Sequence, residues 1–201
     1  MEPTTTTASS KKIAVIIGSV RTHRIGDTVA NWFVQASGIE SSFTVEIIDL
    51  KTWNLPLYDE AYPPMYLNGA YTTELAKQWR DKIAQFDGFV FVTCEYNSGY
   101  SPSIKNGIDY LFTEWNKKPA LVVSYGFVGG ASANNQLSHV LANSGLKMRL
   151  VQHKVELTLS RDMYGADGKL ADINTSFAKF APETVKAVAE LLTIVNTPLE
   201  N

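Results

Sequence analysis

One segment near the start of the chain organises the rest, Ile13-Ala14-Val15-Ile16-Ile17-Gly18-Ser19-Val20-Arg21-Thr22-His23-Arg24-Ile25-Gly26. Its first five residues are apolar and mostly β-branched, which is typical of a strand buried on both faces. The apolar run stops at Gly18, and apolar residues at helical spacing begin at Ile25. A polar turn between a strand and a helix aims backbone N–H groups and a partial positive charge at one place. Ser19, Arg21 and Arg24 in that turn therefore predict a phosphate site.

The turn matches neither of the two best-known nucleotide-binding loops, G-x-G-x-x-G and G-x-x-x-x-G-K-[ST]. Neither a dinucleotide fingerprint nor a kinase-type loop is therefore supported. What remains is a loop for a single phosphate, of the type that holds flavin mononucleotide (FMN). An ordinary strand-to-helix turn with solvated arginines is the alternative.

Length and charge restrict the class of protein. The chain has 201 residues, enough for one α/β domain with a full core and too few for two comfortable ones. A formal net charge of -2 argues against binding to nucleic acid or a membrane surface through bulk charge. The one cysteine, Cys94, excludes an intrachain disulfide, and we expect a cytoplasmic protein. We expect a disordered tail over residues 1–11 and a single domain over residues 12–196.

Strand and helix patterns alternate along the chain. Predicted strands cover residues 13–17, 43–50, 89–94, 119–125 and 148–159. Predicted helices cover residues 25–36, 72–86, 102–115, 132–143 and 182–195. This alternation predicts an α/β fold, a flavodoxin-like three-layer sandwich with a five-stranded parallel sheet of order 2-1-3-4-5 and helices on both faces. In that order a ligand binds beyond the carboxyl ends of strands 1 and 3.

Three loops follow the carboxyl ends of strands, and we expect them to share one crevice: residues 18–26, 95–101 and 124–130. The second loop suits the edge of a flat heterocycle, because backbone donors and acceptors can match those of the ring. The third leaves room for the rest of the ring or for a second nucleotide. The candidate residues of these two loops are Glu95, Tyr96, Asn97, Ser98, Ser124, Tyr125 and Gly126. Plain turns are the alternative.

The side chains supply no evident catalytic group of their own. The three histidines, His23, His139 and His153, share no metal-ligand spacing with a cysteine or carboxylate, so no metal site is predicted. Cys94 has no obvious partner for nucleophilic chemistry and is expected to be a small core residue. Ser19 lies near His23, but the G-x-S-x-G pattern of a hydrolase is missing. A bound cofactor would therefore carry the chemistry, with no catalytic side chain.

Three motifs occur in order along the chain. They are Gly18-Ser19-Val20-Arg21, then Glu95-Tyr96-Asn97-Ser98-Gly99 continuing to Lys105-Asn106-Gly107-Ile108-Asp109, and then Ser124-Tyr125-Gly126 with Gly129-Gly130. Through them the chain closely resembles the NAD(P)H-dependent FMN reductase family, and within it the small flavodoxin-like quinone reductases, azoreductases and chromate reductases. The resemblance covers roughly residues 12–195.

The resemblance implies FMN held without covalent attachment, with NADPH or NADH as electron donor. Residues 95–98 would bind the isoalloxazine edge, and the residues that would bind the phosphate are Ser19, Arg21, Arg24, Ile25 and Gly26. It also implies a ping-pong transfer of two electrons to quinones or similar small acceptors, such as free flavin, azo compounds, chromate or ferricyanide. A homodimer or a dimer of dimers is expected, with the helix after Pro102 and the loop around Tyr58 at the contact.

Two residues depart from the family pattern. Cys94 stands where members usually have proline, and a strand end tolerates either residue. Arg24 stands where members often have serine; it adds a second cation near the phosphate or favours a 2′-phosphate on the nicotinamide cofactor. Two other classes stay open: a flavodoxin-like electron carrier without a nicotinamide site, and a regulatory or scaffold protein that kept the fold and lost catalysis.

Overall fold

The computed structural model describes residues 11–143, 145–166 and 170–199. The predicted tail, residues 1–11, lies outside them apart from Lys11, whose ammonium pairs with Asp87 at 3.0 Å. Among the helices in these ranges, none combines the length and the apolar character that crossing a membrane requires.

The sheet and its helices have the following bounds. The strands are β1 (Lys12–Ile17), β2 (Thr44–Asp49), β3 (Gly88–Cys94), β4 (Pro119–Gly126), β5 (Arg149–Leu150) and β6 (Val155–Thr158). The α-helices are α1 (Gly26–Ser37), α2 (Leu50–Trp53), α3 (Pro64–Leu67), α4 (Glu74–Ile83), α5 (Pro102–Asp109), α6 (Ala131–Asn143), α7 (Ile173–Phe177) and α8 (Ala181–Asn196). Short 3₁₀ turns cover Ile39–Ser41, Arg161–Met163 and Ala178–Phe180.

The sheet is parallel and has the order β2-β1-β3-β4-β5, with β6 also paired to β4. The predicted flavodoxin-like order is therefore confirmed. The predicted fifth strand, residues 148–159, is two short strands instead of one. The N–H groups of Gln152 and His153 donate to the carboxylate of Glu190 on α8, at 2.7 and 3.0 Å. These two N–H groups therefore do not form hydrogen bonds with β4, and the strand is interrupted between β5 and β6.

Helices cover both faces of the sheet and form two cores. Because side chains alternate along a strand, Ile13, Val15 and Ile17 of β1 pack on the side of α1 and α8. Ala14 and Ile16 pack on the opposite side, with α4, α5 and α6. The three layers follow directly from this alternation in a strand that is apolar throughout.

The helix after β3 ends earlier than the predicted range, residues 102–115. Two hydrogen bonds explain the difference. The N–H of Phe112 donates to the hydroxyl oxygen of Tyr71 at 3.2 Å, so it does not continue the helical pattern. The indole N–H of Trp115 donates to the carbonyl of Ile108 at 3.2 Å, which satisfies a carbonyl at the end of α5.

The long segment over residues 51–70 is held by one side chain of α5. The amide oxygen of Asn106 accepts from the N–H of Tyr58 at 2.9 Å. Its amide nitrogen donates to the carbonyls of Leu55 and Pro56, at 3.1 and 2.7 Å. This segment, which includes most of α2 and all of α3, is therefore attached to α5.

Candidate active site

Three loops meet at the carboxyl edge of the sheet. They are the phosphate loop (residues 18–25, named for the sequence prediction), the edge turn (residues 95–99) and the glycine loop (residues 126–130). The hydroxyl oxygens of Ser19 and Tyr96 lie 3.1 Å apart and join the first two loops. The N–H of Glu95 donates to the carbonyl of Tyr125 at 3.2 Å and joins the edge turn to the end of β4. The structure therefore places the three loops side by side at this edge.

The phosphate loop leads into α1, which begins at Gly26 without a side-chain cap from Ile25. The first N–H groups of an uncapped helix attract anions. Gly26 is packed closely, since a Cβ there would lie 2.8 Å from the hydroxyl oxygen of Tyr125. A side chain at this first residue of the helix would therefore displace the Tyr125 hydroxyl.

Ser19 and Arg21 are the polar side chains of the phosphate loop that face Tyr96. Ser19 is only 2% exposed, and its hydroxyl is engaged with that of Tyr96. Arg21 is exposed, with its guanidinium carbon 5.4 Å from the centre of the Tyr96 ring. Among the ion pairs of the described ranges, none includes Arg21. Its charge is therefore available for a phosphate.

The guanidinium of Arg24 pairs with the carboxylate of Asp49 at the end of β2. Its guanidinium donates to Asp49 at 2.6 Å and to the carbonyl of Ser19 at 2.7 Å, and a second nitrogen also pairs with Asp49. Burial alone would raise the pKa of Asp49, but hydrogen bonds from Arg24 and from the N–H of Lys51, with the charge of Arg24, hold that pKa below its usual value. Arg24 thus braces the loop. Asp49, the last residue of β2, was not among the predicted site residues, although strand ends meet at this edge.

The edge turn has a two-residue reversal at its tip. Asn97 and Ser98 have φ of 49° and 64°, and Tyr96 and Gly99 exchange N–H···O hydrogen bonds of 2.8 and 2.9 Å. This is a type I′ turn, in which both central residues take positive φ. A Cβ on Gly99 would meet only ordinary contacts at 3.5 Å, so the special backbone lies one and two residues earlier. The N–H groups of Asn97 and Ser98 stay outside the hydrogen-bonded pair.

The carboxylate of Glu95 points to α6. It accepts from the N–H groups of Ser132 and Ala133, at 3.0 and 3.2 Å, and so caps that helix. Gln136, one turn further along α6, donates to the carbonyl of Ser98 at 2.8 Å. Sequence reasoning missed Gln136. Gln136 follows Ser132 by four residues, so both lie on one face of the helix. This spacing could have identified Gln136 from the sequence.

The glycine loop is held by its own backbone and by β4. The N–H of Gly129 donates to the carbonyl of Gly126 at 3.0 Å, and the hydroxyl of Ser124 donates to the carbonyl of Gly129 at 2.8 Å. Ser124 and Tyr125 are buried beneath the loop, and burial raises the pKa of the Tyr125 hydroxyl. Phe127 is 65% exposed at the rim. Ser124 and Tyr125 would therefore reach a ligand mainly through their backbone.

The residues present fit the groups of FMN. A helix start, a serine hydroxyl and the exposed guanidinium of Arg21 suit a phosphate, and a turn whose tip carries two N–H groups outside its own hydrogen-bonded pair suits the edge of a heterocycle. Cys94 is buried, in keeping with a core role. Within the described ranges, no three His, Cys, Asp or Glu side chains are grouped so that they could hold a metal ion.

Known proteins are similar to this chain over most of its length. The pattern of the NADPH-dependent FMN reductase family matches residues 11–160. A NAD(P)H-dependent FMN reductase of Schizosaccharomyces pombe is 44% identical over 179 residues, which is 89% of this chain and 88% of that protein. A 2-hydroxy-1,4-benzoquinone reductase of a Burkholderia species is 31% identical, over 65% of this chain and 70% of that protein.

A solved structure is also similar. It is that of FerB, a flavoenzyme NAD(P)H:(acceptor) oxidoreductase from Paracoccus denitrificans, with a TM-score of 0.67 and 26% identity over 91% of this chain and 97% of that chain. The family pattern and the yeast relative each cover well over half of the sequence. The protein therefore belongs to the NADPH-dependent FMN reductase family, a family of oxidoreductases.

Proposed function

We propose that this protein binds FMN and carries two electrons from NADPH or NADH to quinones or similar small acceptors, by a ping-pong mechanism. The observation that supports the proposal most directly is the meeting of the phosphate loop, the edge turn and the glycine loop at one edge of the sheet. The quinone reductases among the relatives support a quinone-like acceptor.

Bound FMN would supply the redox chemistry, accepting a hydride from the nicotinamide and passing two electrons on. The chain's own residues would bind and orient it. The start of α1, the Ser19 hydroxyl and the Arg21 guanidinium would hold the phosphate, with Ile25 and Gly26 lining it and Arg24 bracing the loop. Residues 95–98 would hold the ring edge, and residues 124–126 would lie along its other side.

Donor and acceptor would use one pocket in turn, which is the basis of the ping-pong proposal. The exposed Phe127 at the rim would contact the acceptor mainly through apolar surface, which selects for shape more than for particular polar groups. This arrangement favours broad acceptor specificity. The proposed location is the cytoplasm, where a chain with one cysteine needs no oxidising environment.

The proposed assembly is a homodimer or a dimer of dimers. An apolar groove of about 830 Å³ lies between the loop at Tyr58–Met65 and helices α5 and α6, and Ile108, Phe112 and Val140 are among its lining residues. Tyr62 and Tyr66 beside it are largely exposed. Exposed apolar surface of this kind is typical of interaction sites, and a second copy of the chain is the proposed occupant.

The test is an anaerobic titration of the FMN-reconstituted protein, first with NADPH and then with a benzoquinone. The proposal expects the visible flavin absorbance to bleach with NADPH and to return with the quinone. An electron carrier would bleach with dithionite but not with NADPH. A regulatory or scaffold protein that kept the fold and lost catalysis would also fail to bleach with NADPH.

A further inference from the structure

The edge turn has an unusual backbone conformation at its tip. Asn97 and Ser98 both lie in the left-handed region, which asparagine adopts more readily than most residues but serine adopts rarely. The turn has only the two hydrogen bonds between Tyr96 and Gly99 to hold it internally. Contacts from neighbouring elements therefore add to the hydrogen bonds that fix the shape of the turn.

Helix α6 holds this turn on both sides. Its first N–H groups, from Ser132 and Ala133, donate to the carboxylate of Glu95 at the start of the turn, at 3.0 and 3.2 Å. Its Gln136 donates to the carbonyl of Ser98 at the tip, at 2.8 Å. The two contacts use one face of the helix, and together they fix the turn at two separate points.

The helix is itself firmly attached to the sheet. The buried amide of Asn134 donates to the carbonyl of Val122 at 3.3 Å and to the hydroxyl oxygen of Ser124 at 3.2 Å. Leu137 and Leu141 of the same helix are completely buried against the sheet. A contact to α6 is therefore a contact to the rigid part of the molecule.

The charge of Glu95 is also balanced by this helix. Among the ion pairs formed by the described residues, none includes Glu95. Its carboxylate lies instead at the start of a helix of 13 residues, where the macrodipole is positive. Both its hydrogen bonds and its charge are thus directed to α6 rather than into the crevice.

We propose that Glu95 and Gln136 are positioning residues, through which α6 holds the edge turn in the shape that binds the flavin ring. This inference rests on the proposed function, because the turn has a ring to bind only if the protein binds FMN. Neither side chain need touch the ring. Their effect passes through the backbone of residues 96–98.

The experiment compares the affinities of the apo protein for FMN and for riboflavin, which lacks the phosphate. Glu95→Ala is expected to weaken both affinities roughly tenfold, the size of a lost helix cap. Glu95→Gln keeps an oxygen that accepts from Ser132 and Ala133, so it should recover most of that loss. Gln136→Ala should weaken both affinities roughly threefold to tenfold.

Two variants serve as matched controls. Gln35→Ala and Glu40→Gln change exposed side chains away from the site and should leave both affinities at the wild-type level. Melting temperatures establish that each variant folds, and Gln136→Ala carries the test if Glu95→Ala does not fold. Because riboflavin lacks only the phosphate, equal losses for the two ligands identify an effect on the part of the flavin that they share, and not on phosphate binding.

The possible outcomes separate this inference from the proposed function. If the wild type binds FMN and is reduced by NADPH, yet Glu95→Ala and Gln136→Ala bind both ligands normally, only the positioning role is overturned. A wild type that binds neither ligand overturns both proposals.

Discussion

The phosphate loop and the glycine loop lie at the same edge of the sheet, but they are held in different ways. The glycine loop is held by backbone hydrogen bonds, including one from the N–H of Leu159 to the carbonyl of Gly126 at 2.8 Å. The phosphate loop relies on side chains, above all on the ion pair between Arg24 and Asp49. One loop thus depends on residue conformation, and the other on a pair of charges.

This difference predicts how each loop fails. A backbone-held loop is sensitive to the size and φ preference of its residues, and it responds little to pH. A loop held by an ion pair tolerates changes of shape but depends on the protonation of its acidic partner. Substitutions in each loop can test this contrast, and they are given below from the largest expected effect to the smallest.

Gly130→Ala should produce the largest effect. Gly130 has a φ of 70°, and a Cβ there would lie 3.0 Å from the backbone nitrogen of Tyr125. We expect a loss of about 2–4 kcal/mol in the free energy of unfolding, from positive φ and crowding together. Gly38→Ala is the matched control, since Gly38 has a φ of 64° but nothing within 4 Å of an added Cβ. Its loss should be about 1–2 kcal/mol in urea unfolding. Equal losses for the two variants would contradict the crowding argument.

Arg21→Ala should weaken FMN binding by about 1.5–3 kcal/mol, the range of a charge-assisted hydrogen bond. Because Arg21 is exposed and forms none of the ion pairs found in the described ranges, the free energy of unfolding should change by less than about 1 kcal/mol. Fluorescence titration with FMN and with riboflavin measures the effect. Riboflavin affinity should be unchanged, and an equal loss for both ligands would contradict a role at the phosphate.

Asp49→Asn tests the ion pair of the phosphate loop. At neutral pH we expect a loss of about 1–2 kcal/mol in the free energy of unfolding, between the values of exposed and buried pairs. The pKa of Asp49 is lowered in the folded state, so its stabilisation is complete above the ordinary value of 3.8 and is lost as the pH falls through the lower folded value.

The difference between wild type and Asp49→Asn should therefore shrink in acid. Urea unfolding at neutral pH and below about pH 3.8 measures it. A difference that stays constant over this range would show that the ionised carboxylate of Asp49 is not what holds the loop.

Lys105→Ala should produce the smallest effect and sets the baseline. Lys105 pairs with Asp109 one turn along α5, and both side chains are well exposed. We expect a loss of about 0.3–0.5 kcal/mol in the free energy of unfolding, which decreases with added salt. A loss as large as that of Asp49→Asn would remove the distinction between a surface pair and the pair in the phosphate loop.

The sequence by itself determined the order of the elements and the edge at which the candidate site lies. The apolar run of β1, the helical spacing after Ile25 and the alternation of strands and helices are local patterns, and the rules for parallel sheets convert them into a topology. The same patterns misjudged the helix after β3 and the interrupted fifth strand. In both places, a side chain from another part of the chain accepts a backbone hydrogen bond that the pattern assigned to the helix or to the sheet. Tyr71 accepts from the N–H of Phe112, and Glu190 accepts from the N–H of Gln152.

Only the tertiary structure decided which groups the charged residues of the candidate site contact. Arg24 meets Asp49 across 25 positions of sequence, and Glu95 meets Ser132 across 37. Periodicity describes which face of an element is buried, but it does not tell which charged group from another element arrives beside a loop. The partner of a charged residue depends on where strand ends align and where a helix begins. For this reason the sequence predicts Arg24 as a phosphate ligand, whereas in the fold its guanidinium pairs with Asp49.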